Sequence, residues 1–233
     1  MITSDTKVEL IDWMGSDLSV VNAARVSFEK ESAWVSTVVD GEDDYGIYTT
    51  EGFVLAEGDR KLISYLAKHG HHSPFNHAFA SFRVKAPIFV ARQLVKHKFL
   101  PWNETSRRYV DSEPEFYVPS LWRKRAISVK QGSEGALVDQ GSQQDIGGMA
   151  AGFALSTYET LLKNGVCPEQ ARMVLPQNTM TEWIWSGSLG AFAAMCKLRL
   201  DPHTQAETRI VAEVVARELE ELYPVSFVAL LEN

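Results

Sequence analysis

The sequence contains little cysteine. Only two of its 233 residues, Cys167 and Cys196, carry a thiol. Two cysteines cannot be presumed to form a disulfide in a reducing compartment, and neither belongs to a paired metal-ligand pattern. Four histidines lie close together, but their spacing matches no common metal-ligand pattern: His69, His71, His72 and His77. We therefore expect neither a disulfide framework nor a metal site.

Long apolar runs are absent as well. No run approaches the roughly 20 residues that are needed to cross a bilayer, and residues 1–7 lack the basic and apolar regions of a secretory signal. A formal net charge of −7 argues against a general nucleic-acid-binding surface. We therefore expect an intracellular, cytoplasmic protein with no membrane or nucleic-acid partner.

The sequence also lacks the glycine-rich turn of dinucleotide-binding proteins. Strand-like and helix-like segments alternate, but no Gly-x-Gly-x-x-Gly turn follows a strand, which argues against a Rossmann flavoprotein. No linker rich in Pro, Gly and Ser divides the chain. Residues 1–233 are therefore predicted to form a single domain.

Periodicity and turn residues give a coarse secondary structure. Strands are predicted at 7–13, 78–85, 115–118 and 177–185. Helices are predicted at 18–27, 59–69, 87–95, 149–164, 168–172 and 189–198. Asp201 and Pro202 predict the start of a further helix that continues to about Leu222. Residues 128–148 are rich in Gly, Ser and Gln and are predicted to be a mobile loop.

The most informative feature present is the segment 96–109, which mixes cations, a carboxylate, hydroxyls and aromatic rings. Phosphates can be bound by its cations Lys96, Lys98, Arg107 and Arg108. The polar edge of a ring can be bound by Asn103, Glu104 and Ser106. A solvated basic loop, or lysines that only stabilise a helix end, would explain part of this pattern. The interleaved aromatic residues favour a site for an anionic ligand that carries a ring: Phe99, Trp102 and Tyr109.

This segment resembles the signature of the flavin-dependent thymidylate synthases, an Arg-His-Arg triplet followed by Ser-x-Asn-Glu-x-Ser-x-Arg-Tyr. The chain matches it at His97, Asn103, Glu104, Ser106, Arg108 and Tyr109. It departs at Lys96, Lys98 and Pro101, and a lysine keeps the charge of an arginine but loses its planar fork. Further blocks similar to the family occur in the same order at 18–28, 69–77, 84–93, 165–176 and 198–207. Two stretches, 30–59 and 123–148, are predicted to be elaborations.

The resemblance implies a fold and an activity. The fold is α+β, with a mixed or antiparallel sheet and several helices, and the chain works as a homotetramer whose sites are shared between subunits. The reaction is the reductive methylation of dUMP to dTMP. Methylene-tetrahydrofolate donates the carbon, and FAD, reduced by NADPH, donates the hydride. No cysteine of the enzyme acts as a nucleophile.

The resemblance also implies roles for particular residues. Arg199 is the catalytic residue, because a cation beside the imide nitrogen of the pyrimidine would lower the pKa of that nitrogen. The substrate-binding residues are Gln93, Glu104, Thr105, Ser106, Arg107, Arg108, Arg172 and Arg199. The flavin-binding residues are His71, Ser73, Lys96, His97, Lys98, Glu104 and Ser188. Gly190 and Ala194 stand where relatives can offer an arginine and an asparagine, so part of the adenine-side or ribose-side contact is expected to be made differently.

Other interpretations of these residues stay open. Arg172 and Arg199 could form salt bridges on helix surfaces, and His71 could be a core histidine with satisfied hydrogen bonds. Two competing functions also remain. One is a nucleotide- or folate-binding enzyme that uses a thiol, for which Cys167 before a helix start is the better residue. The other is a non-enzymatic nucleotide-binding or structural protein that has lost activity.

Overall fold

The computed structural model describes residues 1–43, 46–127 and 132–233, and the side chains of residues 39–50 lie outside the description. The strands are β1 (Ile2–Thr3), β2 (Lys7–Met14), β3 (Val35–Asp43), β4 (Gly46–Val54), β5 (Phe79–Pro87), β6 (Trp102–Glu104), β7 (Glu115–Phe116), β8 (Arg123–Arg125), β9 (Ser133–Ala136) and β10 (Met180–Ser188). The α-helices are α1 (Asp17–Arg25), α2 (Glu57–Lys68), α3 (Ile88–Leu94), α4 (Gln140–Lys163), α5 (Pro168–Ala171), α6 (Leu189–Arg199), α7 (Ala206–Leu222) and α8 (Ser226–Glu232).

A four-stranded antiparallel sheet forms the centre of the molecule, with the strand order β2-β5-β10-β6. Strand β5 alternates as the period of two requires, so that Ala80, Phe82, Val84 and Ala86 are buried on one face. Strands β5 and β10 pair along their whole length, from Met180 opposite Pro87 to Ser188 opposite Phe79. The predicted α+β architecture with an antiparallel sheet is confirmed.

Aromatic rings and helix α6 cover the inner face of this sheet. Phe192 of α6 packs edge-on against Phe82 and Trp185, with ring centroids 5.2 Å apart in both pairs. Trp102 stacks on Trp183 at 4.2 Å. Helix α6 corresponds to the helix predicted at 189–198, and five of its residues are buried: Leu189, Phe192, Ala193, Met195 and Cys196. Truncating one of these rings to alanine costs about 3–5 kcal/mol in typical cores.

Polar contacts tie the carboxy-terminal helices to the amino-terminal part of the chain. The buried carboxylate of Asp17 accepts hydrogen bonds from the backbone N–H groups of Val225 (3.0 Å) and Ser226 (2.8 Å). The hydroxyl of Tyr223 lies 3.0 Å from the carbonyl oxygen of Met14 and 2.9 Å from that of Phe79. These contacts satisfy polar groups that would otherwise be buried without partners.

The prediction of a mobile loop at 128–148 is wrong for most of its length. Residues 128–131 lie outside the described part, but Ser133–Ala136 form a strand and a helix begins at Gln140. Asp139 caps this helix by accepting from the backbone N–H of Ser142 at 3.0 Å. Two of the glutamines in this stretch bind Trp122: Gln140 accepts from its backbone N–H, and Gln144 accepts from its indole N–H. Gly147 packs so closely that an added Cβ would lie 2.9 Å from the Trp122 ring.

The predicted start of the long helix at Asp201 is also wrong, since helix α7 begins at Ala206 and ends, as predicted, at Leu222. The carboxylate of Asp201 accepts instead from the backbone N–H of His203 at 2.7 Å and closes a local turn. The stretch 30–59, which was predicted to be an elaboration, contains the hairpin of β3 and β4. No helix among the residues that the structure describes is long and apolar enough to cross a membrane.

Candidate active site

The segment 96–109 runs from the end of helix α3 to the edge of the sheet. Phe99 has a φ of 62°, which is unusual for a residue with a side chain. The turn there packs on Gly187 of strand β10, where an added Cβ would lie 2.3 Å from Cδ2 of Leu100 and 3.1 Å from the carbonyl oxygen of Phe99. Strand β6 then pairs with β10, with Glu104 opposite Trp183. The turn at Phe99 and the pairing of β6 with β10 therefore fix the positions of the residues before and after the turn.

The second half of the segment lines a cleft of about 320 Å³, which we call the Arg172 cleft. It brings together four residues that were predicted to bind substrate: Glu104, Thr105, Arg107 and Arg172. Arg107 donates to the carbonyl oxygen of Ser112 at 2.9 Å, and Arg172 donates through Nε to that of Glu169 at 3.3 Å. Each guanidinium has five donors, so most of them stay available to an anion.

Glu104 is held firmly at the edge of this cleft. Its Oε1 accepts from the hydroxyl of Thr181 at 2.6 Å, and its Oε2 accepts from the indole N–H of Trp102 at 3.0 Å. The stacking of Trp102 on the buried Trp183 anchors this contact in the core. Two fixed donors orient the carboxylate before any ligand arrives, which lowers the entropic cost of binding.

A second cleft, of about 650 Å³, contains Arg199 and Gln93 and is called here the Arg199 cleft. Arg199 donates through Nε to Nε2 of His97 at 3.0 Å and through a terminal nitrogen to the carbonyl oxygen of Gln93 at 3.2 Å. Burial and the neighbouring Arg199 cation lower the pKa of His97 to about 4. Desolvation lowers the pKa of Arg199 from its ordinary value, although a guanidinium stays charged in proteins.

The side chain of Gln93 is engaged within the chain. Its Nε2 donates to the amide oxygen of Gln205 at 2.6 Å, and its Oε1 accepts from the hydroxyl of Thr208 at 3.2 Å. Both contacts come from the region of the α7 amino terminus, more than 100 residues away in the sequence. The amide is therefore positioned by helix α7.

A third and larger cleft, of about 830 Å³, is called the Ser188 cleft. Three residues predicted to bind flavin line it: His97, Lys98 and Ser188. The departures Gly190 and Ala194 lie in its wall, and Lys68 and Lys197 add positive charge. Ser188 caps helix α6, since its hydroxyl accepts from the backbone N–H of Ala191 at 3.3 Å. A volume of this size, with apolar walls and a few polar groups, is typical of a cofactor site.

The remaining predicted residues line none of these three clefts in the described chain: His71, Ser73, Lys96, Ser106 and Arg108. His71, Ser73 and Lys96 are exposed. Arg108 donates to the hydroxyl of Tyr109 at 2.6 Å and lies over its ring, 4.9 Å from the centroid. One chain therefore does not gather the whole predicted set, and Arg172 and Arg199 line separate clefts.

The two thiols do not resemble an activated nucleophile. Cys196 is buried in helix α6, and this burial raises the pKa of its thiol. Cys167 is exposed at the start of the short helix α5 and lines none of the three clefts. The geometry therefore gives no support to the thiol-based enzyme.

The chain is similar to known proteins over nearly its whole length. The profile of the thymidylate synthase complementing protein family matches residues 9–225. A flavin-dependent thymidylate synthase from Thermus thermophilus is 40% identical over 233 residues, covering 97% of this chain and 76% of the relative. One from Thermosipho africanus is 35% identical over 227 residues, covering 97% of this chain and 90% of the relative.

The chain belongs to the flavin-dependent thymidylate synthase family. A solved structure is similar too, that of a UMP/dUMP methylase, PolB, from Streptomyces cacaoi bound with 5-Br dUMP. It superposes with a TM-score of 0.81 at 32% identity and covers 98% of this chain and 95% of its own. These findings confirm the family predicted from the sequence and, with it, the class of flavin-dependent enzyme.

Sequence reasoning missed several residues of this family member that the structure places beside the predicted ones. Thr181 holds Glu104, Gln205 and Thr208 hold Gln93, and Asn76 contacts Ser188. The signal for Asn76 was weak, since it lies within the family-like block 69–77 without a predicted role. No sequence signal linked the other residues to their partners, because each pair is separated by at least 77 positions.

Proposed function

We propose that this chain methylates dUMP reductively to dTMP. Methylene-tetrahydrofolate donates the carbon, and NADPH reduces the FAD cofactor. The observation that carries the proposal is that the signature segment reaches two different clefts. His97 and Lys98 line the Ser188 cleft, whereas Glu104, Thr105 and Arg107 line the Arg172 cleft. A segment of this kind can hold a cofactor at one end and a nucleotide at the other.

The residues of the Ser188 cleft fit a flavin dinucleotide. Its lining includes Gly190, Ala191 and Ala194, and the absence of long side chains at these positions leaves room for a flat ring. Lys98 and Lys197 can neutralise a diphosphate, although as point charges and not as planar forks. When bound, the flavin supplies the hydride that completes the methyl group.

The Arg172 cleft suits an anionic pyrimidine nucleotide. Arg107 and Arg172 can each meet phosphate or pyrimidine oxygens with two parallel hydrogen bonds. Nearby, Lys85 is already paired with Glu115 at 2.7 Å, and this hydrogen bond lowers the pKa of the Glu115 carboxyl. Among the described residues, Arg107 and Arg172 form no salt bridge and can meet an anion, and the held carboxylate of Glu104 can accept from a ring N–H.

Arg199 is proposed to polarise the pyrimidine. A guanidinium beside the imide nitrogen stabilises its anion and pushes electron density toward the carbon that attacks the methylene group. Partial desolvation strengthens this field, because charges interact more strongly at low dielectric. His97 accepts from Arg199 through Nε2, so its proton sits on Nδ1 and the ring stays neutral at physiological pH. The hydrogen bond to His97 thereby holds Arg199 in position, and the neutral imidazole does not repel the guanidinium.

We further propose a homotetramer in which neighbouring subunits complete each site. Arg172 and Arg199 line different clefts of one chain, which supports a site built from two copies. Helix α4 also exposes Ile146 (56%), Met149 (67%) and Phe153 (78%) at spacings that place them along one side of the helix. We also propose that the enzyme is located in the cytoplasm.

The activity is tested with the visible spectrum of purified protein supplemented with FAD and treated with NADPH without oxygen, with and without dUMP. Bleaching that changes with dUMP, followed by dTMP formation once methylene-tetrahydrofolate is added, is expected. The variant C167S is the matched control and should keep full turnover. If flavin is retained but no dTMP forms, the proposed reaction is wrong. Loss of turnover in C167S would favour the thiol enzyme.

Sharing of sites is tested by mixing two inactive variants. At dUMP concentrations well below the weakened Kd of R172A, this variant and R199A are each expected to show little turnover. A mixed oligomer should recover a fraction of the wild-type rate, because some sites receive both arginines. Light scattering gives the mass of the assembly. A monomeric mass, or no recovery after confirmed subunit exchange, would overturn the shared site.

A further inference from the structure

Asn76 occupies a special position in the wall of the Ser188 cleft. It lies in the 3₁₀-helix Ser73–His77, and its Oδ1 accepts a hydrogen bond from the hydroxyl of Ser188 at 2.7 Å. Because the same hydroxyl accepts from the backbone N–H of Ala191, its proton is free to be donated to Asn76. The amide of Asn76 is thus held at the start of helix α6, although the residue itself is exposed.

Gly190 makes room for this amide. A Cβ added to Gly190 would lie 3.1 Å from Oδ1 of Asn76 and 3.7 Å from Cβ of Phe75. The first distance is tighter than most Cβ contacts, so a side chain at position 190 would require the amide to shift by a few tenths of an ångström. The observed position of the Asn76 amide therefore depends on the glycine at position 190.

The amide has hydrogen-bonding capacity left for a ligand. Within residues 1–43, 46–127 and 132–233, Nδ2 of Asn76 donates to no other group, and Ser188 uses only one lone pair of Oδ1. An amide with both N–H donors and one lone pair free can pair with the acceptor and donor on the edge of an adenine ring. Small residues beside it, Ala191 and Ala194, leave a flat surface for such a ring.

We propose that Asn76 is a binding residue for the adenine half of the flavin dinucleotide. Lys98 and Lys197 in the same cleft are suited to the diphosphate that joins the two halves. This inference rests on the proposed function, because it requires FAD to occupy the Ser188 cleft.

The test is a titration of flavin-free protein with FAD and, separately, with FMN, which lacks the adenine nucleotide. N76A should weaken FAD binding about fivefold, the loss expected for one or two neutral hydrogen bonds, and leave FMN binding unchanged. N76D should weaken FAD binding further, because a carboxylate has no donor and repels the diphosphate. N164A, at an exposed asparagine that ends helix α4, is the matched control and should bind FAD as the wild type does.

The outcomes separate this inference from the proposed function. Wild-type protein that binds no FAD contradicts both. Wild-type protein that binds FAD, with N76A of equal affinity, overturns the role of Asn76 alone. Equal losses of FAD and FMN affinity in N76A overturn its assignment to the adenine half.

A second measurement uses the coupling between positions 76 and 190. In a G190R background, the new side chain displaces the amide, so the substitution N76A should then change FAD affinity by less than it does in the wild type. This double-mutant cycle isolates the pair from general effects on folding. Additive losses from G190R and N76A would contradict the proposed contact.

Discussion

Nε of Arg199 donates a hydrogen bond to Nε2 of His97 across 3.0 Å and so joins the end of helix α6 to the signature segment. The bond requires a neutral imidazole whose proton sits on Nδ1. Burial and the Arg199 cation favour the same state, because both disfavour an imidazolium. The histidine of the signature therefore positions an arginine and does not act as a cation.

This relationship predicts a pH dependence of stability. The pKa of His97 is about 4 in the folded chain and about 6.5 when unfolded. Between these values the unfolded chain binds more protons, so the free energy of unfolding should fall as the pH drops from about 6.5 toward 4, by at most about 1.4 kcal/mol per pH unit. Above pH 6.5 this contribution should be constant.

Denaturant titrations at fixed protein concentration, at pH 7.5, 6 and 5, check this prediction. The variant H97Q should show a shallower loss of stability over the same range. H69Q, which removes an exposed histidine, should follow the wild-type curve. Identical curves for H97Q and wild type would show that His97 titrates normally.

Replacement of Arg199 should abolish catalysis without unfolding the chain. R199A removes the cation proposed to stabilise the pyrimidine anion, and loss of one such group typically lowers kcat by about 10²–10³-fold. The side chain is only half-buried and makes two hydrogen bonds, so far-ultraviolet circular dichroism should stay unchanged. R199K, which keeps the charge but loses the fork, should retain part of the rate. Unchanged turnover in R199A would exclude a catalytic role.

Replacement of Arg172 should weaken nucleotide binding and spare the flavin. R172A removes a charged hydrogen-bond donor from a cleft that is separate from the Ser188 cleft. The loss should be about 1.5–3 kcal/mol of dUMP binding, or roughly 10- to 100-fold in Kd. Calorimetric titration with dUMP and fluorescence titration with FAD separate the two effects. A dUMP affinity equal to that of the wild type would return Arg172 to the role of a surface arginine.

Gly187 should tolerate no side chain. In G187A the new Cβ would meet Cδ2 of Leu100 at 2.3 Å and the carbonyl oxygen of Phe99 at 3.1 Å. Overpacking of this kind costs about 1–3 kcal/mol, and FAD affinity should also fall, because the turn carries Lys98. The matched control is G152A within helix α4, where an added Cβ meets no atom within 4 Å. It should be stabilised by about 0.5–1 kcal/mol, as measured by thermal unfolding.

The sequence alone determined the family, the α+β class and most of the regular elements. Apolar periodicity located α2 and β5 closely, since each buries a face whose period is visible in the chain. The apolar run 189–198 located α6, and strand β2 was located although none of its residues is fully buried. The signature segment 96–109 indicated the reaction, because its cations, carboxylate and aromatic rings occur at the spacing of one enzyme family. Local composition failed at 128–148 and at Asp201, where contacts with Trp122 and His203 decide the structure. It also did not predict the hairpin of β3 and β4 or helix α8.

Only the tertiary structure decided how the predicted residues are divided among clefts. Spacing along the chain cannot show that Glu104 and Arg172 share one cleft while Arg199 and His97 are joined in another place. It also cannot show that Asn76 meets Ser188, a contact that spans 112 positions. Such pairs depend on the register of the strands and the packing of α6 against the sheet. These are set by the burial of the whole core, and no local pattern encodes them.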